Sequence, residues 1–166
     1  IYAQKINSGG SLLWGKDGIP LARMKADQNN AQLISDGAGG VLVVWEDYRD
    51  PAPRVYLQKI SASGKKTFEN GSIPVCNVKS KQTAPKIISD GAGGAIIFWQ
   101  DERNVLSYKD LYVQRISAQG EALWGEGGLQ VCGAHVAGSQ VCGAQVAGSQ
   151  VAGAQVRTLR YFTFTL

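Results

Sequence analysis

Residues 89–103 read Ser89-Asp90-Gly91-Ala92-Gly93-Gly94-Ala95-Ile96-Ile97-Phe98-Trp99-Gln100-Asp101-Glu102-Arg103. The pattern stands 54 positions earlier as Ser35-Asp36-Gly37-Ala38-Gly39-Gly40 and Trp45-Glu46-Asp47-Tyr48-Arg49. A long internal period of this kind is the mark of a tandem-repeat architecture. A second block occurs three times, as Ile1-Tyr2-Ala3-Gln4-Lys5-Ile6, Val55-Tyr56-Leu57-Gln58-Lys59-Ile60 and Leu111-Tyr112-Val113-Gln114-Arg115-Ile116. Each copy leads to a glycine (Gly10, Gly64, Gly120), then a large aromatic (Trp14, Phe68, Trp124), then an apolar pair (Ile19/Leu21, Ile73/Val75, Leu129/Val131).

Local signals place four strands in each repeat. Lys86-Ile87-Ile88 is a short apolar run that stops at an Asp-Gly turn. Ala95 to Trp99 is apolar on both faces, as in a strand covered on each side by another sheet. Leu111 to Ile116 alternates apolar with polar residues, and Glu121-Ala122-Leu123-Trp124 with the segment to Val131 supplies a shorter fourth strand. No stretch before residue 130 has a helical period. Four antiparallel strands repeated in tandem predict an all-β fold, with each repeat one blade of a β-propeller. The chain then holds about two and a half blades: half a blade in residues 1–25 and whole ones in 26–79 and 80–132.

Composition agrees with this. With 44% hydrophobic and 18% charged residues the chain is apolar enough to fold, and its 21 glycines suit short strands joined by tight turns. The net charge of +4 comes from scattered basic residues rather than a stripe, which argues against nucleic acid as a partner. No apolar stretch reaches membrane-spanning length. The chain opens at Ile1-Tyr2, inside a repeat, which reads as a section of a longer chain or a trimmed product.

The repeat resembles a family of bacterial secreted proteins with tandem propeller-like repeats. In that family a D-G-x-G-G turn leads into an apolar strand ending W-x-D-x-R, followed by an I-Y-x-Q-[KR]-[IV] strand and a G-x-x-x-W turn. The resemblance covers residues 1 to about 132. It implies a propeller-like fold and an extracellular or cell-surface setting, and it brings no enzymatic activity.

Beyond Val131 the pattern changes. Residues 133–156 form a Gly/Ala-rich tail in which valine recurs every five residues, at Val136, Val141, Val146, Val151 and Val156. The spacing resembles that of pentapeptide repeats; the simpler reading is a low-complexity extension. Residues 157–166 close the chain, and from Tyr161 on they alternate as a strand does, which predicts pairing with an otherwise open sheet edge.

Candidate chemistry is sparse. The single histidine, His135, has no Cys, Asp or Glu at ligand spacing, and neither a nucleophile elbow nor a phosphate loop is present. One carboxylate in each loop at Asp36-Gly37 and Asp90-Gly91 is too few for calcium. Of the three cysteines, Cys76 and Cys132 sit at equivalent repeat positions, too far apart to bridge, while Cys132–Cys142 remains open. The strongest candidates are Trp45, Asp47 and Arg49 with Trp99, Asp101 and Arg103, where an aromatic, a carboxylate and a guanidinium recur at a strand end. They could hold a sugar by stacking and hydrogen bonds. Alternatively they build the repeat, with Asp and Arg pairing between blades and capping turns.

The expected function is a non-enzymatic extracellular binding, structural or adhesion module without a cofactor, its partner a glycan or a protein. A closed propeller needs at least four blades, so a homo-oligomer or the remainder of a longer chain is expected to complete it. The alternative is a lectin with a site in each blade. A fragment of a propeller glycosidase is third, because no pair of carboxylates stands out for glycoside hydrolysis.

Overall fold

The computed structural model describes residues 1–68, 71–104 and 109–132. Every regular element among them is a strand: β1 Tyr2–Ala3, β2 Ile19–Pro20, β3 Gln28–Ser35, β4 Val41–Asp47, β5 Arg54–Ile60, β6 Ile73–Pro74, β7 Gln82–Ser89, β8 Ala95–Asp101, β9 Asp110–Ile116 and β10 Leu129–Cys132. They form a two-stranded half-sheet, β1–β2, and two four-stranded antiparallel meanders, β3–β4–β5–β6 and β7–β8–β9–β10. The tail and the terminal strand expected at 157–166 lie outside the described residues.

The Asp-Gly turn sets each meander. Asp36 Oδ1 accepts the amides of Ala38 and Gly40 at 2.9 and 2.7 Å, and Asp90 Oδ1 accepts those of Ala92 and Gly94, both at 2.8 Å. This is the Asx-type turn, in which a short carboxylate replaces a backbone acceptor. Gly37 and Gly91 supply the positive φ of 76° that the reversal requires. Gly40 and Gly94 are needed for a different reason, since a Cβ there would collide with the carbonyl oxygen of Ile60 or Ile116.

Strand β4 is apolar on both faces because both are covered. Val43 and Trp45 join Tyr56 and Ile60 in a core shared with Leu21 and Ala22 of the half-sheet region. Leu42, Val44, Val55 and Leu57 join Ala95, Ile97 and Trp99 of the second full sheet. Three sheets are therefore stacked face to face in chain order. Strand β8 departs from the expectation of two covered faces: Ala95, Ile97 and Trp99 are buried, but Ile96 and Phe98 are only half-buried and Ile88 is exposed. No described sheet follows it.

The fourth strand of the second full sheet is Leu129–Cys132 alone. Glu121–Trp124, expected to contribute, makes a turn touching β9 through the isolated bridge Ile116↔Ala122. The repeated glutamine organises it. Gln114 Oε1 accepts the amide of Trp124 at 2.9 Å while its Nε2 donates to the Gly125 carbonyl at 2.5 Å. Gln58 binds the Phe68 amide and Gly71 carbonyl in the same way, and Gln4 the Trp14 amide and Gly15 carbonyl. These bonds take the chain away from the sheet before it returns.

The two glycine roles predict different costs. Gly94→Ala forces the backbone apart and is expected to destabilise by about 3 kcal/mol. Gly91→Ala, which meets nothing within 4 Å, is expected to cost about 1 kcal/mol of left-handed strain. Urea unfolding of the two variants checks the order; equal effects would contradict the steric reading of Gly94.

Candidate functional site

Strand alternation places Trp45 and Asp47 on one face of β4, and Trp99 and Asp101 on the same face of β8. The arginine follows just past the strand end and folds back over it. Asp47 Oδ2 accepts Trp45 Nε1 at 2.9 Å and Arg49 Nη2 at 2.5 Å, and its Oδ1 accepts the amide and Nε of Arg49 at 3.0 and 2.8 Å. Asp101 Oδ2 accepts Trp99 Nε1 at 2.8 Å and Arg103 Nη2 at 2.6 Å, while Oδ1 accepts the Arg103 amide at 2.9 Å. Each guanidinium also covers a tyrosine ring, Arg49 at 4.1 Å from Tyr56 and Arg103 at 3.7 Å from Tyr112.

The copies differ in where the arginine's remaining donors go. Arg49 Nη2 reaches Ser72 Oγ at 3.0 Å within its own sheet. Arg103 donates to the Gly127 carbonyl at 3.0 Å and approaches Cys76 Sγ of the preceding sheet at 3.3 Å, leaving its buried Nε without a partner. Cys76 is a buried free thiol.

Trp45, Trp99, Asp47 and Asp101 are all 0% exposed. No indole face is open for a sugar to stack on, and both carboxylates are saturated. Only the arginine side chains reach solvent in part. The expected pairing between blades is also revised, since each Asp–Arg ion pair closes within its own copy. Two positions apart on a strand end, the partners are already neighbours; Arg49 binds its aspartate through both Nε and Nη2, and Arg103 through Nη2.

Other residues tie the sheets together. Glu46 Oε1 accepts Asn30 Nδ2 at 2.7 Å and, from the next sheet, the Ala84 amide at 2.6 Å. Ala84 and Asn30, at equivalent positions, have φ of 53° and 52° where the β3–β4 and β7–β8 registers shift. Gln82 Oε1 accepts the Val55 amide of the preceding sheet at 3.2 Å. Lys5 Nζ donates to the Gly39 carbonyl at 2.7 Å, and Lys59 Nζ to that of Gly93 at 3.1 Å. The sequence did signal Lys5 and Lys59 as a repeat, but nothing in it showed that they reach the neighbouring turn.

Burial pushes both motif carboxyls up, and the hydrogen bonds from arginine and tryptophan outweigh it, so Asp47 and Asp101 lie below the usual carboxylate range. Ser80 adds a further bond at Asp101. Asp90 is lowered for a similar reason, its burial offset by the turn amides and Arg115. Among the described residues no three His, Cys, Asp or Glu side chains gather as a metal site. His135 and Cys142 lie outside them.

Comparison with family models, curated proteins and solved structures finds no match to this chain.

A carboxyl with a lowered folded pKa contributes stability that is complete above its unfolded value, about 3.9, and lost as pH falls through the folded one. Urea midpoints are therefore expected to hold from neutral pH to about 5 and to drop steeply below about 4. Asp101→Asn should be less stable at neutral pH and show a shallower acid slope. An unchanged slope in that variant would contradict the assignment.

Proposed function

We propose that the three stacked sheets are successive blades of a β-propeller, and that the chain serves as a non-enzymatic binding, structural or adhesion module outside the cell. The observation that carries this reading is the internal use of the recurring polar motif. In both copies the Trp–Asp–Arg group is turned inward, its carboxylate spent on the indole N–H and the guanidinium. A group consumed in this way builds the repeat, and ligand contacts then fall to the loops at one end of the stack. The stacking supports the propeller reading, since each sheet offers its neighbour the same face, Trp45 toward the half-sheet and Trp99 toward the first full sheet. The repeat motifs support the extracellular setting through their resemblance to secreted proteins.

The lectin reading would place one sugar site on each motif. Its burial speaks against that, because stacking needs an open aromatic face. Titration with a panel of mono- and oligosaccharides, beside thermal unfolding of Asp101→Ala, separates the two readings. The expected result is no binding in proportion to the motif copies, with a lowered unfolding temperature for the variant. Binding at one site per copy, lost in an Asp101→Ala protein that stays folded, would overturn the proposal in favour of a lectin.

A further inference from the structure

Glu46 buries a carboxylate that no cation answers. Its residue is 3% exposed, and it enters no ion pair among the described residues. Its oxygens accept three neutral donors. Asn30 Nδ2 at 2.7 Å and the Ala84 amide at 2.6 Å bind Oε1, and the Tyr48 hydroxyl at 3.2 Å binds Oε2. Such bonds replace lost hydration, but they bring no opposite charge. Asp47 and Asp101, buried to a similar depth, each carry an arginine.

The two full sheets differ at this place. Strand pairing sets Asn29 opposite Glu46, and the Tyr48 amide on the Asp27 carbonyl extends the ladder by one pair. By alternation Asp27, Asn29, Glu46 and Tyr48 share one face of the first full sheet. Leu42 and Val44 lie on the same face, which is turned to the second full sheet. One repeat later the four positions hold Lys81, Thr83, Gln100 and Glu102. There the chain supplies its own ammonium, with Lys81 Nζ at 3.0 Å from Glu102 Oε1. In the first copy Asp27 stands for that lysine, Tyr48 for the glutamate and Glu46 for the glutamine. A neutral, internally paired set has become two carboxylates beside an aromatic ring. Tyr48 is 39% exposed, and Asp27, Asn29 and Asn30 are exposed, so solvent reaches this place. Both sheets that border it have their four strands.

We propose that this place binds a primary ammonium group, and that the group belongs to a glycan with free amino sugars. The proposal rests on the reading of the chain as a binding module and gives that module a ligand class. A protonated amine gains from the ring of Tyr48, the carboxylate of Asp27 and the buried charge of Glu46 together. Calcium is a poorer match, because it takes about six to eight oxygens. The neighbours favour a sugar over a lysine side chain. Asn30 spends Nδ2 on Glu46 and keeps Oδ1 for another donor, and Asn29 adds a second amide on the shared face. Hydroxyl groups bond such amides, whereas a lysine lays an apolar stem over them.

Titration calorimetry with the glucosamine tetramer tests the proposal at about pH 6, where amines are protonated and carboxylates ionised. A single tetramer should bind each chain, and the fully N-acetylated tetramer, which carries no charge, should not bind. Glu46→Gln should weaken binding about tenfold, and Tyr48→Leu about threefold. Glutamine already stands at this position in the second copy, and its amide can serve the same three partners, so the urea midpoint of Glu46→Gln should stay close to that of the unaltered chain. Asp27→Lys, an exposed change, should abolish binding by supplying the ammonium from within. No binding of the glucosamine tetramer, or equal binding of both tetramers, would overturn the proposal, as would unchanged affinity in Glu46→Gln and Asp27→Lys. Affinity for Nα-acetyl-lysine amide at or above that for the tetramer would overturn it in favour of a partner protein's lysine. Each of these failures leaves the binding-module reading standing, since that reading falls by a different result, one sugar site on every Trp–Asp–Arg copy.

Discussion

A carboxylate removed from water is costly unless hydrogen bonds and an opposite charge replace its hydration. Each full sheet buries such a carboxylate, Asp47 or Asp101, at the end of its second strand. The replacement comes from a residue two positions before and another two positions after. The arrangement fixes the indole, places the guanidinium on the tyrosine of the neighbouring strand, and turns the chain at the strand end. Removing any one member leaves a buried polar group unpaired, which costs far more than the pair itself contributes. This asymmetry accounts for the return of the whole Trp-x-Asp-x-Arg group in the second copy.

Around it the stack is held by links of a second kind. Apolar side chains fill the space between sheets, but apolar contact alone fixes register poorly. The Ala84 amide on Glu46, the Val55 amide on Gln82 and the lysines reaching the next sheet's glycine turn supply that register. Arg115 stands where Lys59 stands one repeat earlier, yet it bonds its own Asp90 at 3.0 Å. Ile96 and Phe98 are half-buried on the same sheet, where Leu42 and Val44 are fully buried in the sheet before. The stack thus presents at its far end the same kind of face that it covers internally.

Much of the fold was legible in the sequence because the repeat makes each signal visible twice. The Asp-Gly turns and the run Ala95–Trp99 fall where the pattern places them. Glu121–Trp124 forms a turn where the sequence suggests strand, since Gln114 lies seven or more positions away and side-chain bonds over that distance leave no periodicity. At the candidate site, residue identity was readable and orientation was not. Strand alternation puts Trp99 and Asp101 on one face, but whether that face meets solvent or another sheet depends on the stack. Alternation also leaves open whether Arg103 returns to its own aspartate or crosses to a neighbour.

The most direct test of the structural role of the motif is urea unfolding of Trp99→Phe, followed separately by tyrosine exposure and by backbone signal. That change removes the indole N–H from Asp101 and keeps an aromatic ring in the core. The account predicts a loss of about 1–3 kcal/mol, with both signals falling together because the motif and the sheet packing form one unit. Stability equal to that of the unaltered chain would contradict it.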